Sequence, residues 1–382
     1  AYKKSNISEK EEFKKFKDEN CYWLNDYAMF MAIKDRFNGQ SFDKWAEDIK
    51  LRWGYSMEYY QNELKDEIEF YKFIQYEFYR QWYKLKKYAN ENGIKIIGDI
   101  PIYVAYDSAD VWAHPELFQM DENGKPVAVA GCPPDGFSAT GQLWGNPLYR
   151  WDYHKQTNYD WWIKRIERSV KLYDVVRIDH FRGFDEYYSI PAEDEDATNG
   201  HWEKGPGIDL FNAIKYCLGD VNIIAEDLGY ITDTVRQLVK DSGFPNMKVL
   251  EFAFDSRDSS GPKDYLPYNY DKNCVVYTGT HDNDTTRSWY QTLRPECRDK
   301  VRRYTHCSND THFPLDLIRT ALASVAAYAI FPLQDVLCVG AEGRMNTPGI
   351  GAGNWSWRYQ QSALKGELAD ELRGMTILYG RY

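Results

Sequence analysis

Six short runs of β-branched and apolar residues, at 94–104, 174–181, 221–228, 247–254, 274–282 and 326–337, constrain the fold more than any other feature of this 382-residue chain. Helical segments or long connections separate them, among them 232–241, which Gly243 stops. Strands that alternate with helices build a parallel sheet with crossover connections. Four of the runs carry a carboxylate near the C-terminal end: Asp99 in GDIPIYV, Asp179 in VVRIDH, Glu226 in IIAEDL and Asp282 in VVYTGTHD. A barrel gathers such ends around one mouth, where (β/α)8 enzymes place their chemistry, whereas an open doubly wound sheet spreads them along an edge. The expected fold class is therefore α/β, and within it a (β/α)8 TIM barrel.

Residues 1–93 read differently, as a helical segment packing on the barrel segment 94–382. Ser56 opens a long helical stretch that Gly93 closes, and inside it Ile74, Phe78, Trp82, Leu85 and Ala89 form one apolar stripe at helical spacing. That stripe is expected to pack against a sheet. Two connections stand out by length and composition. One covers 105–160 and contains GCPPDGFSATGQLWGNPLY, whose Phe137, Trp144 and Tyr149 suit an ordered loop over the mouth better than a disordered one. The other, 340–359, reads GAEGRMNTPGIGAGNWSWRY and has the same character.

A net charge of −11 argues against nucleic acid or anionic membranes as main partners. No apolar run approaches the roughly 20 residues of a membrane helix, and no signal-peptide pattern is present. Seven cysteines without a CxxC pair fit neither a disulfide framework nor a zinc site, so a reducing cytoplasm is the expected location. Aromatic residues make up 16%, with 31 Tyr and 13 Trp. Many must fill the core, but the same rings stack on the apolar C–H faces of sugars.

The strongest chemical signal lies in DVVRIDHFRGF, residues 174–184. Alternation along a strand turns Arg177 and Asp179 to one side, with Ile178 and His180 on the other. An arginine two positions before an aspartate keeps it ionised and fixes its rotamer, which suits a nucleophile. Taken alone, a structural pair closing a strand end is the simpler account. Three acids around one mouth, with Arg and His but no phosphate-binding glycine pattern, change the balance toward glycosidic bond chemistry. Asp179 is then the nucleophile, Glu226 the acid/base, and Asp282 the third acid that holds sugar hydroxyls and stabilises an oxocarbenium-like transition state. His281 and His180 are expected to donate to ring hydroxyls. Asp227 is turned away and structural, Asp284 caps the following helix, and Asp185 and Glu186 face solvent. A metal held by His180, His281, Asp99 and Asp282 is the weaker reading, because no compact spacing such as HxH or HExxH supports it.

The segments GDIPIYVAYDSADVWAHPELF, GCPPDGFSATGQLWGNPLYRW, VVRIDHFRGF, AEDLGYITDTV, VYTGTHDNDTT and RMNTPGIGAGNWSWR, in this order between Gly98 and Arg358, resemble the 4-alpha-glucanotransferases, the amylomaltase or disproportionating-enzyme family of the alpha-amylase clan. The resemblance implies the same three catalytic acids, Asp179, Glu226 and Asp282. It also implies that Arg177, His281, Asp135, Gln142, Trp144, Asn346 and Asn354 belong to substrate subsites, and Asp99 and Tyr103 are grouped with them. Members of the family begin with a segment carrying the first two barrel strands, which nothing here resembles, so this chain is expected to hold strands three to eight. The implied activity is retaining transfer of α-1,4-glucan segments from a maltooligosaccharide donor to glucose or another maltooligosaccharide, without cofactor or metal. Three rivals are an α-1,4-glucan hydrolase, an inactive glucan-binding fragment and a metal-dependent hydrolase.

Overall fold

The computed structural model describes residues 2, 7–134, 138–255 and 262–382, so Asp135 and Phe137 lie outside the described residues. The chain forms two compact units, Ala1–Ile223 and Ile224–Tyr382.

Among the described residues the first unit holds six strands: β1 (Ile97–Ile100), β2 (Ala128–Cys132), β3 (Gln142–Pro147), β4 (Val175–Ile178), β5 (Glu186–Pro191) and β6 (His201–Lys204). β1 and β4 pair in parallel, in a register that sets Asp99 beside Arg177 and Ile100 beside Ile178. All four residues of β4 are buried, as its continuous β-branched and apolar sequence requires of a strand covered on both faces. Val176 donates to the carbonyl of Asn222, the residue before the next strand.

The second unit takes up β7 (Ile223–Ala225), whose first residue belongs to the first unit, and continues with β8 (Asn246–Val249), β9 (Cys274–Tyr277) and β10 (Tyr328–Ile330). Each of these pairs in parallel with the next. The helix between β7 and β8, Asp233–Ser242, starts at a Thr232 cap that accepts from Val235 N and ends on Gly243 at φ 72°. Such a left-handed residue suits glycine, and it stops the helix where the sequence places the stop. Leu250, Phe254, Cys274, Val276, Trp289, Phe313 and Leu317 belong to one buried core of this unit. The strands β1, β4, β7, β8, β9 and β10 fall inside the six runs read from the sequence, apart from Asn246, one residue before its run; the architecture is α/β with parallel strands.

Two expectations are corrected. The connection 105–160 is not a plain loop. It contains the helices Ala109–Ala113 and Trp151–Gln156 and the strands β2 and β3, which join β5 and β6 in an antiparallel sheet of order β3-β2-β5-β6. A strand pattern was hidden because the pairing is broken by a register shift between Val129 and Gly131, and because β3 carries Gly and Pro. At Gly131 a β-carbon would lie 2.1 Å from the Gln142 carbonyl oxygen, so only glycine permits this close approach of the two strands.

The second correction concerns the helical stretch, which is split at Leu64 into Gly54–Glu63 and Lys65–Glu91. In the longer helix Ile74, Phe78 and Leu85 are 38%, 50% and 53% exposed, whereas Ile68, Tyr76 and Tyr79 are buried. Tyr76 and Tyr79 meet Phe13, Phe16 and Trp23 of the helices Glu11–Glu19 and Cys21–Arg36. Their hydroxyls are paired with Glu12 and Arg168, so tyrosine is buried here at little polar cost. A periodicity that leaves out tyrosine follows the wrong face. Trp82 of the stripe donates to the Leu172 carbonyl and packs edge-on to Tyr173.

His154, fully buried, has its Nε2 3.2 Å from the Leu117 carbonyl, while Nδ1 has no hydrogen-bond partner among the described residues. Burial pushes its pKa down to about 4 from 6.5. Between those values the unfolded chain binds the proton and the native state does not, so stability is full above about pH 6.5 and lost as pH falls toward 4, by up to about 3 kcal/mol. Thermal melts should therefore drop more between about pH 7.5 and 4.5 for the native sequence than for His154→Gln. Parallel curves for the two proteins would remove His154 from the account.

Candidate active site

In the first unit, the Asp99–Arg177 register brings the carboxylate of β1 onto the guanidinium of β4. One terminal nitrogen of Arg177 donates to both Asp99 oxygens, at 2.7 and 2.6 Å, and the other lies 3.0 Å from Asp179 Oδ1. The arginine side chain is 8% exposed and the two carboxylates are each about two-fifths exposed. A buried cation thus holds two partly exposed acids. β4 ends at Ile178, so Asp179 leaves the strand and His180 turns into the left-handed region at φ 52°.

Residues from three segments pack close to this turn. The His180 ring meets Trp144 edge-on at 4.8 Å and Tyr103 at 6.5 Å. Burial holds the imidazole neutral, with its pKa lowered to about 3. Trp144 Nε1 donates to Gln142 Oε1, two residues earlier on β3, which fixes one polar side chain against the indole. Tyr103 is buried and stacks on Tyr149 at 5.9 Å, and Tyr149 donates to the Ile102 carbonyl. Tyr103, Gln142, Trp144 and the Asp99–Arg177–Asp179 cluster, spread over 81 positions of the sequence (179 minus 99, plus one), therefore belong to one neighbourhood.

In the second unit, Glu226 follows β7 directly, is buried, and accepts from the backbone N–H of Leu228 at 2.9 Å. Asp227 is turned away from it. Its two oxygens accept from Asn246 Nδ2 and Met247 N on β8, and burial pushes its pKa up to about 6. Asp227 is a strand-to-strand tie, as the alternation argument has it.

Asp282 stands five positions beyond the end of β9, not on the strand. Its Oδ1 accepts from Asn346 Nδ2 at 2.6 Å, its Oδ2 lies 3.3 Å from His281 Nε2, and its own carbonyl accepts from Arg344. Asn346 N donates to the His281 carbonyl, so the two segments are joined through backbone and side chain together. The His281 ring packs on Trp355 at 5.1 Å. Asn354 does not reach Asp282. It accepts from Thr347 N and donates to the Ile350 carbonyl, closing the turn that presents Asn346. Arg344 and Trp355 are the members of this cluster that residue-by-residue reading missed, although both lie within the matching segment RMNTPGIGAGNWSWR.

Two minor readings change. Thr285, not Asp284, caps the helix Thr286–Thr292, and Asp284 supports it by accepting from Thr285 N and Ser288 Oγ. Glu186 is not free in solvent but is paired with Lys204. Among the described residues no group of three or more His, Cys, Asp or Glu is arranged to hold a metal ion, and no helix is long and apolar enough to cross a membrane.

The chain matches, over residues 1–364, the family described as 4-alpha-glucanotransferase. A 4-alpha-glucanotransferase of Clostridium butyricum is 49% identical over the whole of this chain and 78% of its own length. One from Thermus thermophilus is 45% identical over 97% of this chain and 75% of its own. Among solved structures, the amylomaltase of Streptococcus agalactiae in complex with acarbose superposes with a TM-score of 0.93 at 42% identity, covering 97% of this chain and 74% of that one.

Proposed function

Because the chain belongs to the 4-alpha-glucanotransferase family, we propose that Asp179, Glu226 and Asp282 together carry a retaining transfer of α-1,4-glucan segments between maltooligosaccharides. The observation that carries this reading is the family match over residues 1–364, which spans all three acids. In the first step the Asp179 carboxylate attacks the anomeric carbon as the bond to the leaving oxygen breaks, and Glu226 gives its proton to that oxygen. In the second, Glu226 takes the proton from the 4-hydroxyl of the acceptor as that oxygen displaces Asp179. Two inversions leave the α configuration unchanged.

The local geometry supports these roles. Arg177 holds the Asp179 carboxylate in one rotamer, and a nucleophile fixed in place loses less entropy on attack. Glu226 is buried directly after β7, and the Leu228 N–H fixes one of its oxygens in place. Asp282, oriented by Asn346 and His281, is the acceptor for sugar hydroxyls that sharpen their hydrogen bonds as positive charge develops. Trp144, Tyr103, Gln142 and Trp355 supply apolar faces and donors of the kind that bind glucose units. Asp135, Asn354 and Asp99 complete the proposed subsites, Asp99 and Asn354 acting through Arg177 and the 347–354 turn.

The parallel strands are read as strands three to eight of a (β/α)8 barrel, with 1–93 as a helical segment and 94–382 as the barrel segment. The cysteines form no disulfide among the described residues, and the proposed location is the cytoplasm. Neither step draws on a cofactor or a metal. Incubation with maltotriose tests the reading: glucose together with maltodextrins longer than the substrate is the expected result. Maltose and glucose alone would make the protein a hydrolase, and bound but unaltered maltotriose would make it a binding fragment.

A further inference from the structure

Asp282 and His281 ride on a segment whose two ends are tied to the same buried carboxylate. The segment leaves β9 at Thr278 and re-enters regular structure at Thr286, the first residue of the next helix. Thr278 donates its hydroxyl to Asp335 Oδ2 at 2.6 Å. Thr286 donates its hydroxyl to the same oxygen at 2.8 Å and its N–H to Asp335 Oδ1 at 3.2 Å. Asp335 sits in the short helix Leu333–Val336 after β10 and is 1% exposed. Between the two ends, Asn283 Oδ1 accepts from the N–H and the hydroxyl of Thr280, so the turn is closed internally as well.

A second buried acid touches the same threonine. Glu251, 2% exposed, has Oε1 3.3 Å from Thr286 Oγ1, and a β-carbon on Gly279 would stand 2.8 Å from that oxygen. Its backbone N–H donates to the Thr278 carbonyl. The hydroxyl of Thr286 has one proton, and the shorter contact assigns it to Asp335. The contact with Glu251 is then a bond only if Glu251 carries a proton and donates it to Thr286 Oγ1. Burial, the negative charge of Asp335, and then Asp284 and Asp255, all favour the neutral form of Glu251. Asp335, with three donors to its two oxygens, is the member of the pair suited to hold the charge.

We propose that Asp335 and Glu251 are positioning residues for the transfer reaction, a carboxylate and a carboxylic acid joined through Thr286 that fix both ends of the segment presenting His281 and Asp282. The proposal rests on the reading of Asp282 as the third acid. Neither residue acts on substrate; each sets where Asp282 stands. Asp335→Asn replaces an acceptor with a donor facing two hydroxyls and releases both ends of the segment. With maltotriose as substrate, kcat should fall about 10- to 100-fold, the scale of loss expected when a reacting group is misplaced by an ångström, while KM changes by less than about threefold.

Hydrogen exchange of the 279–285 amides should accelerate in this variant, with β7 and β8 unaltered. Glu251→Gln keeps a donor toward Thr286 and should retain kcat within about threefold, whereas Glu251→Leu should match the loss in Asp335→Asn. If Asp335→Asn fails to fold, Thr278→Val, which removes one hydroxyl at the same volume, takes its place with the same expected exchange pattern. A purely structural role would lower the melting temperature while kcat of the folded enzyme and exchange at 279–285 stay at native values, and that result overturns the proposal. Equal damage from Glu251→Gln and Glu251→Leu overturns the assignment of the proton to Glu251. Native protein that leaves maltotriose unchanged counts against the transfer reading, and the exchange measurement still decides the clamp.

Discussion

Asp179→Asn should be folded, should still bind maltooligosaccharides, and should transfer glucan segments at a rate lower by about 10⁴-fold or more, the scale seen when a covalent nucleophile is removed from an enzyme whose remaining groups act as a unit. The amide is nearly the same size and can still accept from Arg177, so the fold around β4 has no reason to change. It cannot form a glycosyl ester. Native protein quenched in mid-reaction with a donor bearing a good leaving group should carry one added glucosyl mass on a peptide that contains residue 179, and the variant should not. Labelling of a peptide that lacks this residue would show that another group is the nucleophile and would end the present assignment.

The second large effect is expected at Arg177. It is the buried cation between Asp99 and Asp179, and both acids depend on it for their orientation. Replacement by Met leaves two carboxylates facing each other beside an apolar side chain. Breaking a buried pair on one side costs about 3–5 kcal/mol; here both acids are two-fifths exposed, so water takes up part of that penalty and about 2 kcal/mol of stability is the reasonable expectation. Activity should suffer more than stability, by about 10²- to 10³-fold in kcat/KM, because Asp179, the proposed nucleophile, loses its fixed rotamer. Arg177→Lys is the sharper test. An ammonium keeps the charge but cannot span both partners as the two terminal nitrogens of the guanidinium do. A lysine variant with native kcat/KM would show that charge alone suffices and that the forked geometry is incidental.

The sequence showed its parallel strands clearly because each is a short apolar run bounded by glycine, polar residues or a helix cap, and because strands buried on both faces need no alternation to be recognised. The pairing of Arg177 with Asp179 was legible for the opposite reason: it depends only on the two-residue repeat of a strand. The antiparallel sheet was not legible. β2 and β3 pair with each other across a register shift, and β2 also pairs with β5, more than fifty residues later, so the pattern that identifies it exists only in three dimensions. The exposed stripe Ile74, Phe78 and Leu85 misled because tyrosines with paired hydroxyls can fill a core as well as aliphatic residues do. Asp335 and Glu251 stood unnoticed as single acids inside apolar runs. Nothing in their immediate neighbours tells that Thr286 lies against both.

The antiparallel sheet of the first unit draws two of its strands from the chain before β4 and two from the chain after it. β2 and β5 lie side by side at its centre, which laces the polypeptide on either flank of the Asp179 turn into a single fabric. Exchanges at the exposed Glu193 and Glu195 between β5 and β6 should therefore leave the anchorage of Asp179 undisturbed, whereas Ala197, buried and bonded through its backbone to Thr140 and Tyr188, is part of that anchorage.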